Sequence, residues 1–301
     1  MGGLMYARSS RLPAFAAVVV VSVALAGCDI AVNGDGGFNF DLAAGKAQDT
    51  WTRSYPLGKD GRIEIINVNG RITAEATDGT SVEVVAERTA KSSTDDSAKE
   101  LLKQIEMREE VGDARVRVEV RAPRMRGGSG HEIKWTLKVP RGVAVDLRTI
   151  NGGVKMNALE GEVRARTTNG GITGNALTAT SLDASTTNGG VEIELTRAVS
   201  TGAFELQAVN GGVSLTMPGE SKADVTAKCV NGGITLDGLD LKVSGESTSN
   251  PNEFEQHVEG AKKFRRRLEG QLNGGGARVS LDTVNGGVKI LRTREAEGNR
   301  E

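Results

Sequence analysis

Cysteine, histidine and aromatic residues are scarce in this 301-residue chain, with 2 Cys, 2 His, 2 Trp, 2 Tyr and 6 Phe. Two cysteines cannot build a disulfide framework or a cysteine-rich zinc site. His131 and His257 stand far apart without flanking ligand spacing and read as two loop histidines. A net charge of −1 leaves no global field to recruit nucleic acid or an anionic bilayer. The sequence has no Gly-x-Ser-x-Gly elbow and no phosphate-loop spacing. Apolar residues at 38% and charged residues at 26% argue against both disorder and a multi-span membrane protein. Proline is also rare (6), whereas glycine is abundant (40) and Val, Ile and Thr recur, a β-type composition.

What is present is one corner, seven times over. The copies are Asn69-Gly70-Arg71-Ile72, Asn151-Gly152-Gly153-Val154, Asn169-Gly170-Gly171-Ile172, Asn188-Gly189-Gly190-Val191, Asn210-Gly211-Gly212-Val213, Asn231-Gly232-Gly233-Ile234 and Asn285-Gly286-Gly287-Val288. From Asn151 to Asn231 the steps are 18, 19, 22 and 21 residues. A turn returning at that period marks a repeat whose units are each too small to bury a core alone.

Both flanks of the corner alternate. Positions two, four and six before Asn hold Thr167, Ala165 and Val163, then Thr186, Ala184 and Leu182, then Ala208, Leu206 and Phe204. Cys229, Ala227, Val225 and Thr283, Leu281, Val279 follow suit, with polar or charged residues mostly between. After the corner, Val191, Ile193, Leu195 and Val213, Leu215, Met217 keep the same period. Each flank is therefore a strand with one buried and one wet face. The inward positions on the two flanks are five apart, an odd number, so the chain must bend at Asn-Gly. Asn and Gly tolerate the left-handed backbone that such a bend invites.

The expected architecture is an all-β parallel β-helix, or β-solenoid, with coils of about 20 residues and Asn stacked over Asn. An antiparallel sandwich or barrel with type I′ hairpins at Asn-Gly is the competitor. Residues 50–293 form the expected domain, irregular over 50–140 and regular over 141–293, followed by a charged tail, 294–301. Ser93-Thr94-Asp95-Asp96 reads as a helix start, with Leu101, Leu102, Ile105 and Glu109 at helical spacing. One amphipathic helix over 95–109 is expected to cap the coil.

At the N-terminus, Arg8 and Arg11 precede a small apolar run from Phe15 to Ala26, which is short for a membrane span and laid out as an export signal. Its end, Leu25-Ala26-Gly27-Cys28, resembles the bacterial lipoprotein lipobox. That resemblance implies loss of residues 1–27, several acyl chains on Cys28 and a near-permanent membrane anchor. An uncleaved signal-anchor helix and a plain signal peptide are the alternatives. Residues 28–49 read as a flexible tether.

No catalytic, cofactor or metal site emerges. The outward positions mix signs (Glu162, Arg164, Arg166, Asp183, Glu192, Glu194, Asp224, Lys228, Asp282), and no column collects paired acids for general acid–base work. The corners lack the recurring Asp of calcium-binding nonapeptides. Inward threonines do not suit an ice-binding ladder, and Cys229, on the inward register, reads as an inert buried thiol. Lys262, Lys263, Arg265, Arg266 and Arg267 form a basic cluster suited either to an acidic polymer or to a solvated strand.

Ile150-Asn151-Gly152-Gly153-Val154, Thr283-Val284-Asn285-Gly286-Gly287-Val288 and the lead-in Val139-Pro140-Arg141-Gly142-Val143 resemble a bacterial adhesin-type β-strand-repeat family of unknown function. The likeness covers residues 51–291. It implies a solenoid displayed at the bacterial envelope, in some relatives linked to envelope-stress signalling, and carries over no catalytic or ligand residue. The expected protein is non-enzymatic and lipid-anchored through Cys28, facing the periplasm or the exterior. Its surface would serve adhesion, interaction or scaffolding toward envelope proteins or glycans, with no nucleic-acid partner. A periplasmic sensor of envelope stress and a polysaccharide-processing β-helix enzyme are the alternatives.

Overall fold

Asn lies over Asn. The computed structural model describes residues 45–124, 128–244, 261–264 and 266–293. The signal segment, Cys28, the first part of the tether, His257 and the charged tail lie outside these residues. Among them the chain is all-β, with twenty-one strands and one helix.

The strands lie on two faces. Face B runs in the order β5 (Glu106–Val111), β6 (Arg115–Arg121), β2 (Arg62–Ile66), β8 (Ala144–Asn151) and β10 (Glu160–Asn169). It continues through the second part of β11 (Ile172–Asn188) to β13 (Ala203–Asn210), β20 (Ala277–Asn285), β15 (Ala223–Asn231), β19 (Arg267–Leu272) and β17 (Leu241–Val243). Face A runs β1 (Gly45–Tyr55), β4 (Val82–Ser92), β7 (Gly130–Pro140), β3 (Ile72–Thr77), β9 (Val154–Asn157) and the first part of β11. Beyond it come β12 (Val191–Leu195), β14 (Val213–Met217), β21 (Val288–Arg292), β16 (Ile234–Asp237) and β18 (Ala261–Phe264).

Each corner joins a strand of face B to a strand of face A, making an arc. Neighbouring arcs pair in parallel and in register, so Asn69, Asn151, Asn169, Asn188, Asn210, Asn285 and Asn231 form one column in that order. No corner closes a hairpin between its own flanking strands, which removes the type I′ alternative. Among the described residues, antiparallel pairing occurs only toward the two ends of the stack, at β1, β4 and β5 and at β17, β18 and β19.

Stacking order departs from chain order at both ends. The arc of Asn69 sits between β6 with β7 and the arc of Asn151, although β6 and β7 follow it in the chain. The arc of Asn285, last in the chain, sits between those of Asn210 and Asn231. The two corners that stand outside the regular period are the two whose arcs are placed out of chain order.

The interior follows the alternation. Every inward residue named above is buried, from Val163 and Phe204 to Met217 and Val279. A fully buried Val, Leu or Ile contributes roughly 1.5–3 kcal/mol, so an arc such as that of Asn285, with Val279, Leu281, Val288 and Ile290 buried, draws the bulk of its stability from them. Trp135 is the largest fully buried side chain and meets Trp51 edge-on, ring centroids 6.0 Å apart.

The first glycine of the corner is required by contact between backbones. A methyl group built on Gly152, Gly170, Gly189, Gly211, Gly286 or Gly232 would lie on the carbonyl oxygen of the equivalent glycine in the adjacent arc, far inside van der Waals contact. The φ angle is not the common cause, because Gly170 and Gly211 lack a positive φ while Gly70 stands at 119° and Gly189 at 144°. None of the corner asparagines has a positive φ, so the expected left-handed Asn is corrected. At the second glycine a methyl would stand 3.2 Å (Gly153) to 3.5 Å (Gly287) from the nearest carbonyl oxygen, which explains why Arg71 is accommodated there.

Two boundaries also differ from expectation. The helix, α1, spans Asp95–Lys103 and not 95–109. Its start is as read, with Thr94 capping the Ser97 amide and Ala98 and Leu102 buried. Beyond Gln104 the chain becomes β5, where Glu109 accepts hydrogen bonds from Tyr55 Oη (2.6 Å) and Arg53 Nε (3.1 Å). Those bonds tie the edge strands of the two faces together, a gain no local helical propensity matches. The last five residues expected in the tether, 45–49, belong to β1, where Asp49 holds the Arg88 guanidinium and the Lys46 amide donates to Asp95.

Gly211→Ala is expected to cost about 1–3 kcal/mol or more through forced separation of two backbones. Gly212→Ala should stay within about 1 kcal/mol of the parent. Urea denaturation of the two variants side by side checks the contrast.

Candidate functional site: the outer surface of face B

Residues one, three and five positions before each Asn point outward from face B, and with the Asn column they make its outer surface. Six hydrogen bonds link the seven Asn side chains, each Nδ2 donating to the Oδ1 of its neighbour at 2.7 to 2.9 Å. A side-chain amide offers two N–H donors and two acceptor lone pairs. One donor and one lone pair per interior Asn therefore remain free, repeating at the strand spacing of about 4.8 Å.

Beside this ladder runs a column of β-branched residues. Ile150, Val209, Val284 and Val230 are 46%, 42%, 39% and 58% exposed, with Thr168 and Thr187 in the same column. Across the arcs from Thr187 to Val230 the surface carries an open depression whose lining includes Val209, Val284, Gln207 and Lys228. These side chains lie in register on neighbouring arcs and are open to water.

Inside the corner, a hydroxyl two positions before Asn donates to the glycine carbonyl of the adjacent arc. Thr167, Thr186 and Thr283 reach Gly152, Gly170 and Gly211 at 2.8 Å, and Thr149 reaches Gly70 at 3.2 Å. Cys229 stands in that column and its Sγ donates to the Gly286 carbonyl at 3.0 Å. Burial pushes its thiol pKa up, which suppresses the thiolate.

Toward β6 the outer surface becomes ionic. Glu64 and Asp146 are register partners on β2 and β8 and both are buried. This corrects the expectation that no column pairs acids, because the out-of-order arc of Asn69 brings Glu64 to Asp146. Arginines surround the pair. Arg148 clasps Asp146 through Nε and Nη2 at 2.9 and 2.7 Å, and Arg115 donates to Glu64 at 2.7 Å. The row continues as Asp183 accepts from Arg164 (3.2 Å) and Arg166 (2.6 Å). The Asp146 hydrogen bond raises the Arg148 pKa further, and Glu64 does the same for Arg115. Where the face B strands begin, Lys59, Arg62, Glu160, Glu162 and Arg197 line a cleft of about 480 Å³.

His131 lies on β7 and not in a loop, and burial lowers its pKa. In the basic cluster, Arg266 and Arg267 are exposed and Arg267 pairs with Glu269, while Arg265 and the side chains of Lys262 and Lys263 lie outside the described residues. Among the described residues no group of three or more His, Cys, Asp or Glu is placed to hold a metal ion, and no helix is long and apolar enough to cross a membrane. Sequence reasoning placed all seven corners but missed the hydroxyl column. The recurrence of Thr beside the corner was the available signal.

A family model described as Toastrack DUF4097 matches residues 101–291. No curated protein matches the chain. Among solved structures, a candidate cell adhesion protein from Clostridium sporogenes is similar at 12% identity and a TM-score of 0.47, covering 82% of this chain and 100% of its own. A candidate adhesin from Bacteroides fragilis shows 11% identity and a TM-score of 0.32, over 80% of this chain and 97% of its own. Another, from Parabacteroides merdae, shows 9% and 0.26, over 81% and 96%.

Arg148→Ala strips the bidentate partner from a buried carboxylate and should cost about 1–3 kcal/mol in urea denaturation. Arg166→Ala, at an exposed pair, should cost about 0–1 kcal/mol. Cys229 should resist alkylation at neutral pH in the folded chain and react fully once urea unfolds it.

Proposed function

The chain belongs to the Toastrack DUF4097 family, and on that premise we propose a non-enzymatic envelope protein that displays face B as an interaction surface. The stacked arcs are read as a β-solenoid with coils of about 20 residues, held to a bacterial membrane by acyl chains on Cys28. The observation that carries this reading is the exposed β-branched column beside the Asn ladder. Its free hydrogen-bonding groups repeat along the stack and converge on no single point, which suits a long partner such as an envelope glycan or an extended protein segment. Catalysis needs the opposite arrangement, a few groups aimed at one reacting atom.

One feature supports the polysaccharide-processing alternative, the adjacent carboxylates Glu64 and Asp146. Both are engaged by arginine and buried, so neither faces a substrate as a free acid or base.

Two measurements test the proposal. Cys28→Ser should release the protein into a soluble fraction or leave its precursor uncleaved, and unchanged fractionation with normal processing would defeat the anchor. Replacing Val209 and Val284 together by Asp should weaken binding to isolated envelope material at least about tenfold, about 1.4 kcal/mol. Unchanged binding removes face B from the role, and turnover of an acidic glycan abolished by Glu64→Gln would replace display with catalysis.

A further inference from the structure

The arc of Asn285 comes last in chain order among the described arcs, yet it fills an interior slot. It enters between β13 and β15 while the segments behind them remain in direct contact, the Lys222 amide donating to the Val199 carbonyl at 2.7 Å. The arc is thus a wedge pushed between two coils already joined at their far side.

The walls of the slot match each other. Phe204 and Val225 both align with Val279, Leu206 and Ala227 with Leu281, and Asn210 and Asn231 with Asn285. The 21-residue step from Asn210 to Asn231 is that of coils which stack without an insertion. If the wedge leaves, the walls can therefore close on each other in register, which offsets part of the pairing lost.

A hinge stands where the wedge begins. β19 and β20 flank β15 on opposite sides, and the chain crosses from one to the other through four residues. Those four, Asn273, Gly274, Gly275 and Gly276, all have positive φ, at 49°, 89°, 83° and 156°. Three consecutive glycines resist little when the loop straightens. A small polar latch holds the crossing down. Asp224 accepts from the Gly276 amide (3.1 Å) and from Gln271 (2.9 Å), and Asn273 donates to the carbonyls of Gly219 (2.8 Å) and Ser221 (2.7 Å).

From this geometry we infer that the Asn285 arc is an exchangeable element, and that the slot between the Asn210 and Asn231 arcs accepts the same arc from a second copy of this chain. The occupant is a second copy because the slot demands a strand, an Asn-Gly corner and a strand in one fixed register, and every copy carries that segment. Exchange of a terminal element preserves each native contact while linking two molecules. On a membrane crowded with anchored copies it would join neighbouring interaction surfaces.

The test uses the full chain carrying Cys28→Ser and Cys229→Ser, so that introduced thiols stand alone. Ser214 and Lys289 are register partners across the slot on face A. Ser214→Cys and Lys289→Cys chains, mixed and warmed below the unfolding transition, should yield a covalent heterodimer with a short thiol cross-linker. A mixture of Ser214→Cys with Lys155→Cys, three arcs away, should yield none. Asp224→Ala, which opens the latch, should raise the heterodimer yield several-fold. A chain carrying both Ser214→Cys and Lys289→Cys should cross-link within itself, showing the thiols in reach. Internal cross-linking without any heterodimer, with the latch intact or opened, overturns exchange. Failure of the internal cross-link overturns the wedge itself. Neither outcome bears on the anchor at Cys28 or on binding at Val209 and Val284.

Discussion

Contact of backbone with backbone at the corner governs this structure. Where Gly152, Gly170, Gly189, Gly211, Gly286 and Gly232 stack, the carbonyl of one arc occupies the space a side chain would need in the next. That approach places each corner amide on the Asn carbonyl of its neighbour, at 2.8 to 3.0 Å. It also brings the Asn side chains within reach of one another and leaves the glycine carbonyl open to a threonine hydroxyl. Ladder, hydroxyl column and register all follow from the absence of one carbon atom. The aliphatic interior supplies most of the stability, but the corner fixes which residue lies over which.

The same register gives the outer surface its zones. Around Asn210, Asn285 and Asn231 the column beside the ladder is valine, and the surface there is apolar and shallow. Toward Asn69 and Asn151 the outer surface also carries acids and arginines that neutralise one another, Glu64 with Arg115 and Asp146 with Arg148. Interleaved signs leave little net charge to attract a distant polyion, in keeping with a chain of net charge −1. The apolar zone and the ionic zone thus lie toward opposite ends of the stack.

Much of this was legible in the residues. The odd spacing between Thr167 and Ile172 requires a bend, and the structure puts those two on the inner sides of different faces. The inward trios from Val163 to Thr283 are buried as read, and Cys229 is the enclosed thiol expected. The misreadings have a common origin in contacts distant along the chain. Residues 105–109 fit a helix until Tyr55 and Arg53 claim Glu109 for an edge strand. Gly45 to Asp49 look like tether until β4 supplies a partner. Glu64 and Asp146, 82 residues apart, become neighbours because one arc inserts where another would be expected.

By itself, then, the sequence determined the strands, their inward residues and the corners, because alternation and Asn-Gly act over a few residues and recur unaltered in each copy. Only the tertiary structure decided the order in which the arcs stack. Every arc offers its neighbours the same register, so local pattern is blind to whether Asn285 follows Asn231 or divides it from Asn210. That choice falls to connections such as Asn273 to Gly276 and to the antiparallel strands that close each end.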